Sequence, residues 1–198
     1  MSFTAKTAFE ARVTNNRNND LINVTGRYQV SQKDADCDAG RLVIRNDNLP
    51  CAGFANVKNE NAWYMNDATS TTNAGDVVYA ANTYEVPLLA GKNGQLYAVG
   101  TETLGLGIPA GRDGTFTQIV FDGTHAYRFG IGNVTGELST NKFFTIDAGQ
   151  LKPANAAPTA TGALYFKLRG EPGKFTEGTT ASFEYIDVIA FTAVAAGG

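Results

Sequence analysis

The sequence predicts an all-β protein, a sandwich or barrel of roughly nine or ten short strands joined by long Gly-, Asn- and Thr-rich loops. Two observations carry this. The 22 glycines among 198 residues punctuate short runs rich in Val, Ile, Phe, Tyr and Thr, residues that fit a pleated, half-buried surface. No stretch of about 12 or more residues repeats its apolar positions with a period of 3.6. Hydrophobic residues make up 43% of the chain, enough to fill a core.

Residues 1–20 are polar and end in Asn15-Asn16-Arg17-Asn18-Asn19-Asp20. Asparagine favours turns over regular structure, and Phe3, Phe9 and Val13 give only scattered anchors. This reads as an extended N-terminal arm that packs on a neighbour. Residues 21–198 read as the β domain, with a possible subdivision near 87–94. Strands are expected at Leu21–Val30, broken at Gly26, and at Gly40–Arg45. Asn46-Asp47-Asn48-Leu49-Pro50 reads as a turn. Ala55–Met65 is mixed, and only one of the adjacent Trp63 and Tyr64 can face a core. Residues 66–75 read as a surface loop, followed by a strand at Asp76–Ala81.

In the second half, Gln95–Val99 reads as a strand and Thr103–Gly114 as irregular. The strongest local signal is Thr115–Phe121, Asp122-Gly123, Thr124–Ile131, which predicts a two-residue hairpin pairing Phe116 with Phe129. Phe116, Val120, Tyr127, Phe129 and Ile131 then share a core face. Further strands are expected at Lys142–Asp147, Ala163–Arg169 and Ala181–Val194, and Lys152–Gly162 as a connection. The last strand alternates Phe183, Tyr185, Asp187 and Ile189 against Glu184, Ile186, Val188 and Ala190.

Charge and composition narrow the function. The net charge is −3, and the 16 Lys and Arg residues are scattered singly, which argues against direct nucleic-acid binding. No apolar run is long enough for a membrane helix. The first residues lack the pattern of a signal peptide, so folding in the cytosol is expected, with Cys37 and Cys51 as free thiols. The sequons at Asn23 and Asn133 then count as chance matches.

Candidate chemistry is sparse. Asp34-Ala-Asp36-Cys-Asp38 resembles the start of a calcium loop, but Ala39 and Arg45 stand where Gly and a bidentate Glu are needed, so it reads as an acidic turn. Gly105-Leu-Gly107-Ile-Pro-Ala110 approaches a dinucleotide fingerprint without the following helix, and reads as a tight turn. His125 is the sole histidine and reads as a partly buried strand residue. Glu171, Glu177, Glu184 and Asp187 supply a glycosidase pair only if two of them flank a cleft. Trp63, Tyr64, Tyr79 and Tyr84 form a sugar-stacking platform only if exposed; core packing is the ordinary reading. No catalytic, cofactor-binding or metal-ligating residue is assigned, no cofactor is expected, and the chain reads as non-enzymatic.

Asp76-Val-Val-Tyr-Ala-Ala-Asn-Thr-Tyr-Glu-Val, Thr103-Leu-Gly-Leu-Gly-Ile-Pro-Ala-Gly and Phe175-Thr-Glu-Gly with the aromatic strand after it resemble, in style, the small virion proteins of tailed bacteriophages. These are the capsid decoration (cement) and minor head proteins. The resemblance covers about two thirds of the chain and includes no diagnostic motif. It implies a virion structural protein, assembled in the host bacterial cytoplasm. Such a protein binds the outer surface of a capsid and stabilises contacts between capsomers. Its partners are the major capsid protein or other virion proteins, and further copies of itself in a homo-oligomer. The arm at 1–20 and the loops at 66–75 and 103–114 are the candidate contact segments. A tail, baseplate or fibre component, and a carbohydrate-binding or receptor-binding β domain, remain the alternatives.

Overall fold

A computed structural model describes residues 7, 9–12, 22–52, 58–82, 89–90, 96–97, 107–138, 142–177 and 181–194. Among them the strands are β1 (Phe9–Arg12), β2 (Asn23–Val30), β3 (Lys33–Asp34), β4 (Leu42–Ala52) and β5 (Lys58–Asp67). Then come β6 (Val78–Ala81), β7 (Leu89–Ala90), β8 (Leu96–Tyr97), β9 (Gly114–Gln118) and β10 (Asp122–Gly130). The last are β11 (Phe143–Asp147), β12 (Gln150–Ala154), β13 (Leu164–Leu168), β14 (Gly173–Glu177) and β15 (Ala181–Thr192). The all-β expectation holds, with more strands than anticipated.

Both a barrel and an open sheet are present. β2, β5, β4, β6 and β9 pair in sequence, and β9 pairs back onto β2, closing the barrel; β3 is appended to β2. The β2–β5 pair is parallel. The seven-stranded open sheet runs β1-β10-β15-β13-β11-β12, with β14 beside the first half of β15. The apolar pattern explains how the two share a wall. In β6, Tyr79 and Ala81 face the barrel core, while Val78 and Ala80 face the open sheet. In β4, Val43 faces the barrel and Leu42 the sheet. Period-two alternation with both sets apolar gives a strand buried on both faces. The sheet contributes Tyr127, Phe129, Phe144, Phe166, Ile186 and Val188 to the shared core. At about 1.5–3 kcal/mol per buried large side chain, this wall is a main source of stability.

Several expectations need correction. The Asp122-Gly123 hairpin does not form: β9 belongs to the barrel and β10 to the open sheet, and residues 119–121 cross between them. The Asp122 carboxylate turns back to accept the Thr124 and His125 N–H groups, at 2.8 and 3.2 Å. This side-chain turn replaces the backbone pairing of a type I′ hairpin. Tyr127 Oη accepts the Val120 N–H at 2.8 Å and fixes the crossover. Phe116 and Phe129 therefore lie in different cores. Asn46–Pro50 is not a turn but part of β4, with register shifts that absorb the extra residues opposite β5. Lys152–Ala154 extends β12, an edge strand, where Pro153 is tolerated. β2 runs unbroken through Gly26, where an added Cβ would lie 2.6 Å from Met65 Cγ.

Of the arm, Phe9–Arg12 is an edge strand on this chain's own β10; residues 1–6, 8 and 13–20 lie outside the described set. The possible subdivision near 87–94 falls mostly outside it too, with Leu89–Ala90 pairing Leu96–Tyr97.

The barrel and sheet are keyed together at the β11–β12 turn. Ala148 and Gly149 both have positive φ, 46° and 74°, as a type I′ turn requires. Gly149 donates to Ala68 O at 2.8 Å and accepts from Leu42 N at 2.8 Å, joining the tip to β4 and to the residue after β5. A Cβ at Gly149 would lie 2.6 Å from Asp67 Oδ1, whereas one at Gly136, also at positive φ, would meet nothing within 4 Å. Gly136→Ala should therefore lose only the left-handed backbone cost, about 1–2 kcal/mol. Gly149→Ala should lose clearly more, because the joint must also open. Urea midpoints of the two variants check this.

Candidate functional site

Ionisable side chains concentrate at the barrel–sheet joint. Asp67, at the end of β5, accepts two charge-assisted hydrogen bonds from Arg41, Nε to Oδ1 and Nη2 to Oδ2, both 2.6 Å. Tyr28 Oη donates to Asp67 Oδ1 at 2.7 Å, and the Arg41 guanidinium lies 5.3 Å from the Tyr28 ring centroid. Arg41 also donates to Ala148 O at 3.2 Å. Burial, then the bond to Asp67, pushes the Tyr28 phenol well above its ordinary value. Burial works to lower Arg41, but the bond and charge of Asp67 outweigh it and raise it further. Such a cluster satisfies the rule for buried charge, which must be paired and hydrogen-bonded. Perturbed titration at a site can signal function. Here each group meets a fixed structural partner, so the cluster acts as a lock between the two units.

Cys37 sits beneath this lock, fully buried and free. Burial pushes its thiol far above the ordinary range, so it is a poor nucleophile. Its N–H and C=O exchange 2.8 and 2.7 Å bonds with Ile108. The acidic turn around it is tied into the same contact. Asp36 accepts the Ala110 N–H at 2.8 Å, and Asp34 accepts from Gln29 Nε2 at 2.9 Å and lies 3.8 Å from Arg27. The described residues contain no group of three or more His, Cys, Asp and Glu placed to hold a metal ion. Of the dinucleotide-like motif, Gly105 and Leu106 lie outside the described residues; its described end runs into a tight turn, where Arg112 N donates to Pro109 O at 3.0 Å and Gly111 has φ 73°. A Cβ at Gly107 would sit 1.9 Å from Cys37 O, so its glycine serves close backbone packing. The part of the 103–114 segment that is described thus plugs the barrel with Ile108.

His125, at the start of β10, lies with Nδ1 2.9 Å from Asp122 Oδ2 and 3.2 Å from Thr124 Oγ1. A nucleophilic triad places carboxylate and hydroxyl on opposite ring nitrogens. Here both lie at Nδ1, and the Thr124 hydroxyl itself bonds Asp122 Oδ2 at 2.7 Å. The group builds a turn and leaves no activated nucleophile. Among the carboxylates considered for glycoside chemistry, Asp187 is paired bidentately with Arg128, at 2.8 Å on both arms. Glu184, three residues earlier on β15, faces the opposite side of the sheet. The Glu177 side chain lies outside the described set, and Glu171 is exposed. Of the two sequons, Asn133 is 2% exposed and donates to Ala39 O at 2.7 Å, so it cannot accept a glycan in the folded chain.

Tyr79 and Trp63 follow the core-packing reading. Tyr79 is buried in the barrel, Trp63 packs against that core with the Arg45 guanidinium 4.4 Å from its ring, and Tyr84 is outside the described set. The half-exposed rings lie instead on the outer face of the open sheet. Phe143, Tyr165 and Phe191 run across β11, β13 and β15, with centroids 6.3 and 5.4 Å apart. Ile189 and Tyr185 continue the face along β15, and Arg128 lies 3.6 Å from the Tyr185 ring centroid. Sequence reasoning missed this face, although Phe143-Phe144 and Leu164-Tyr165-Phe166 carried the signal. With every residue apolar, alternation must send one set outward.

No family model, no curated protein and no solved structure matches this chain. Among the described residues no helix is long and apolar enough to cross a membrane.

Burial works to raise the Asp122 carboxyl, but the bonds from His125 and Thr124 outweigh it and hold the group well below the usual carboxylate range. A depressed folded pKa gives stability that is present above the unfolded value of about 3.9 and lost as pH falls below it. The urea midpoint should therefore drop as pH falls below about 4. Asp122→Ala should be less stable at neutral pH and show a shallower acid slope. Urea melts between about pH 6 and pH 2 measure both.

Proposed function

We propose that this chain is a non-enzymatic structural protein that binds a repeated protein surface, in the manner of the capsid decoration proteins it resembles. In this reading it lies on the outside of a bacteriophage capsid, contacts the major capsid protein, and braces the joints between capsomers. It is assembled in the host bacterial cytoplasm and carried in the virion. The observation that supports this best is the outer face of the open sheet. Phe143, Tyr165, Ile189 and Phe191 are half-buried, held on strands paired along both edges, and outside both cores. An apolar centre flanked by Lys167 and the Arg128–Asp187 pair has the anatomy of a protein interface. The Arg128–Asp187 pair beside it is committed to a bidentate structural bond, which suits a scaffold whose task is to stay rigid.

A sugar-binding reading also calls for a row of aromatics, but the ring geometry disfavours it. Tyr165 and Phe191 stack on each other at an interplanar angle of 16°, so each hides a face that a pyranose would need. A tail or fibre component shares the same surface features and differs in copy number.

Removing residues 1–20 does not separate attachment from folding, since it also strips β1 from β10. The direct test is density-gradient separation of the native source, with peptide counting across fractions. Peptides banding with DNA-filled particles, at a copy number comparable to the major shell protein, are the expected result. A few copies per particle would indicate a tail part. Peptides confined to the soluble fraction would overturn the virion reading.

A further inference from the structure

Strand β1 is a separable piece of this fold. Among the described residues it pairs with β10, in the register Phe9↔Phe129, Glu10↔Arg128, Ala11↔Tyr127 and Arg12↔Ala126. The Phe9 ring anchors it, 5.3 Å from Phe129 and 6.1 Å from Tyr127, centroid to centroid. Thr7, just before it, is 1% exposed. β10 is otherwise complete, held on its far side by β15 and at its start by the Asp122 turn. Without β1, its near edge is a row of unpaired backbone groups beside two aromatic rings, a template for any strand of the same pattern.

The nine residues that join β1 to Ile22 are Val13, Thr14, Asn15, Asn16, Arg17, Asn18, Asn19, Asp20 and Leu21, with no apolar side chain between 14 and 20. A link of this length reaches at most about 30 Å. That span suffices to carry β1 to a closely packed neighbour.

We propose that the β10 edge is a docking groove for strand β1 of a second copy of this chain. The bonds are the same whether the strand comes from its own chain or another, so the balance is set by the link and by concentration. A link of about nine residues corresponds to an effective concentration on the order of 1 mM. In dilute solution the strand closes on its own chain; where copies crowd, strands exchange and tie neighbours together. This inference concerns the chain in solution and does not rest on the capsid reading.

The test uses full-length chains in a Cys51→Ser background. One preparation carries Arg12→Cys and the other Ala126→Cys, two positions opposed in the β1–β10 register. Mixed at about 1 mM and oxidised, they should yield dimers of twice the 21.0 kDa chain, joined between position 12 of one chain and position 126 of the other. Tenfold dilution before oxidation should lower the fractional yield about three- to fourfold, following mass action. A chain carrying both substitutions should close within itself, which establishes that the pair can bond. If that chain closes while the mixed chains never join, exchange does not occur and the proposal is wrong. If the doubly substituted chain fails to close, the β1–β10 register itself is wrong, and the proposal falls with it.

Discussion

The fold depends on one carboxylate. Asp67 sits where the barrel meets the open sheet, and β2, the residue just before β4 and the β11–β12 turn each present a group that fits it. A partly buried charge is tolerated only when it is paired and its lone pairs are satisfied. That requirement selects one arrangement of the units: Arg41 must reach both oxygens, Tyr28 must donate, and residue 149 must have no Cβ. Hydrophobic burial in the shared wall supplies more energy, but apolar surfaces slide. The polar lock fixes the register at which they meet.

The same logic runs through the periphery. The Arg128–Asp187 pair ties β10 to β15 directly across the strands, and Asn133 ties the segment after β10 to Ala39 near the barrel. Asp122 organises the crossover between the two units, with Tyr127 closing it from within the core. Burial pushes the Tyr127 phenol up to about 12, consistent with a neutral group held inside. Among the described residues, the polar side chains of these three groups are joints of a frame.

Strand composition made the fold class and the alternation of β15 legible in the sequence, because β-branched and aromatic runs and a period of two are local signals. Turn chemistry misled. Asp122-Gly123 carries a strong hairpin signature, yet its carboxylate found nearer partners. Among the described residues, two-residue turns form at Ser31-Gln32 and Ala148-Gly149, of which the first pair both have positive φ, 50° and 64°, without a glycine. Tertiary pairing imposes those conformations against local preference, so no local rule reveals them. The closing of the barrel through β2–β9 and the parallel β2–β5 pair are likewise long-range choices. The outer aromatic face was legible in principle, from adjacent apolar residues in strands already recognised.

The central claim is that barrel and sheet form one cooperative unit through the Asp67 joint. Native-state hydrogen exchange measures this most directly. The amides of Leu42, Ala68 and Gly149 should open only with the global unfolding that also exposes β10 and β15. Exchange of these three amides at a much lower opening free energy than the two cores would show that the joint is a loose contact between independently stable units.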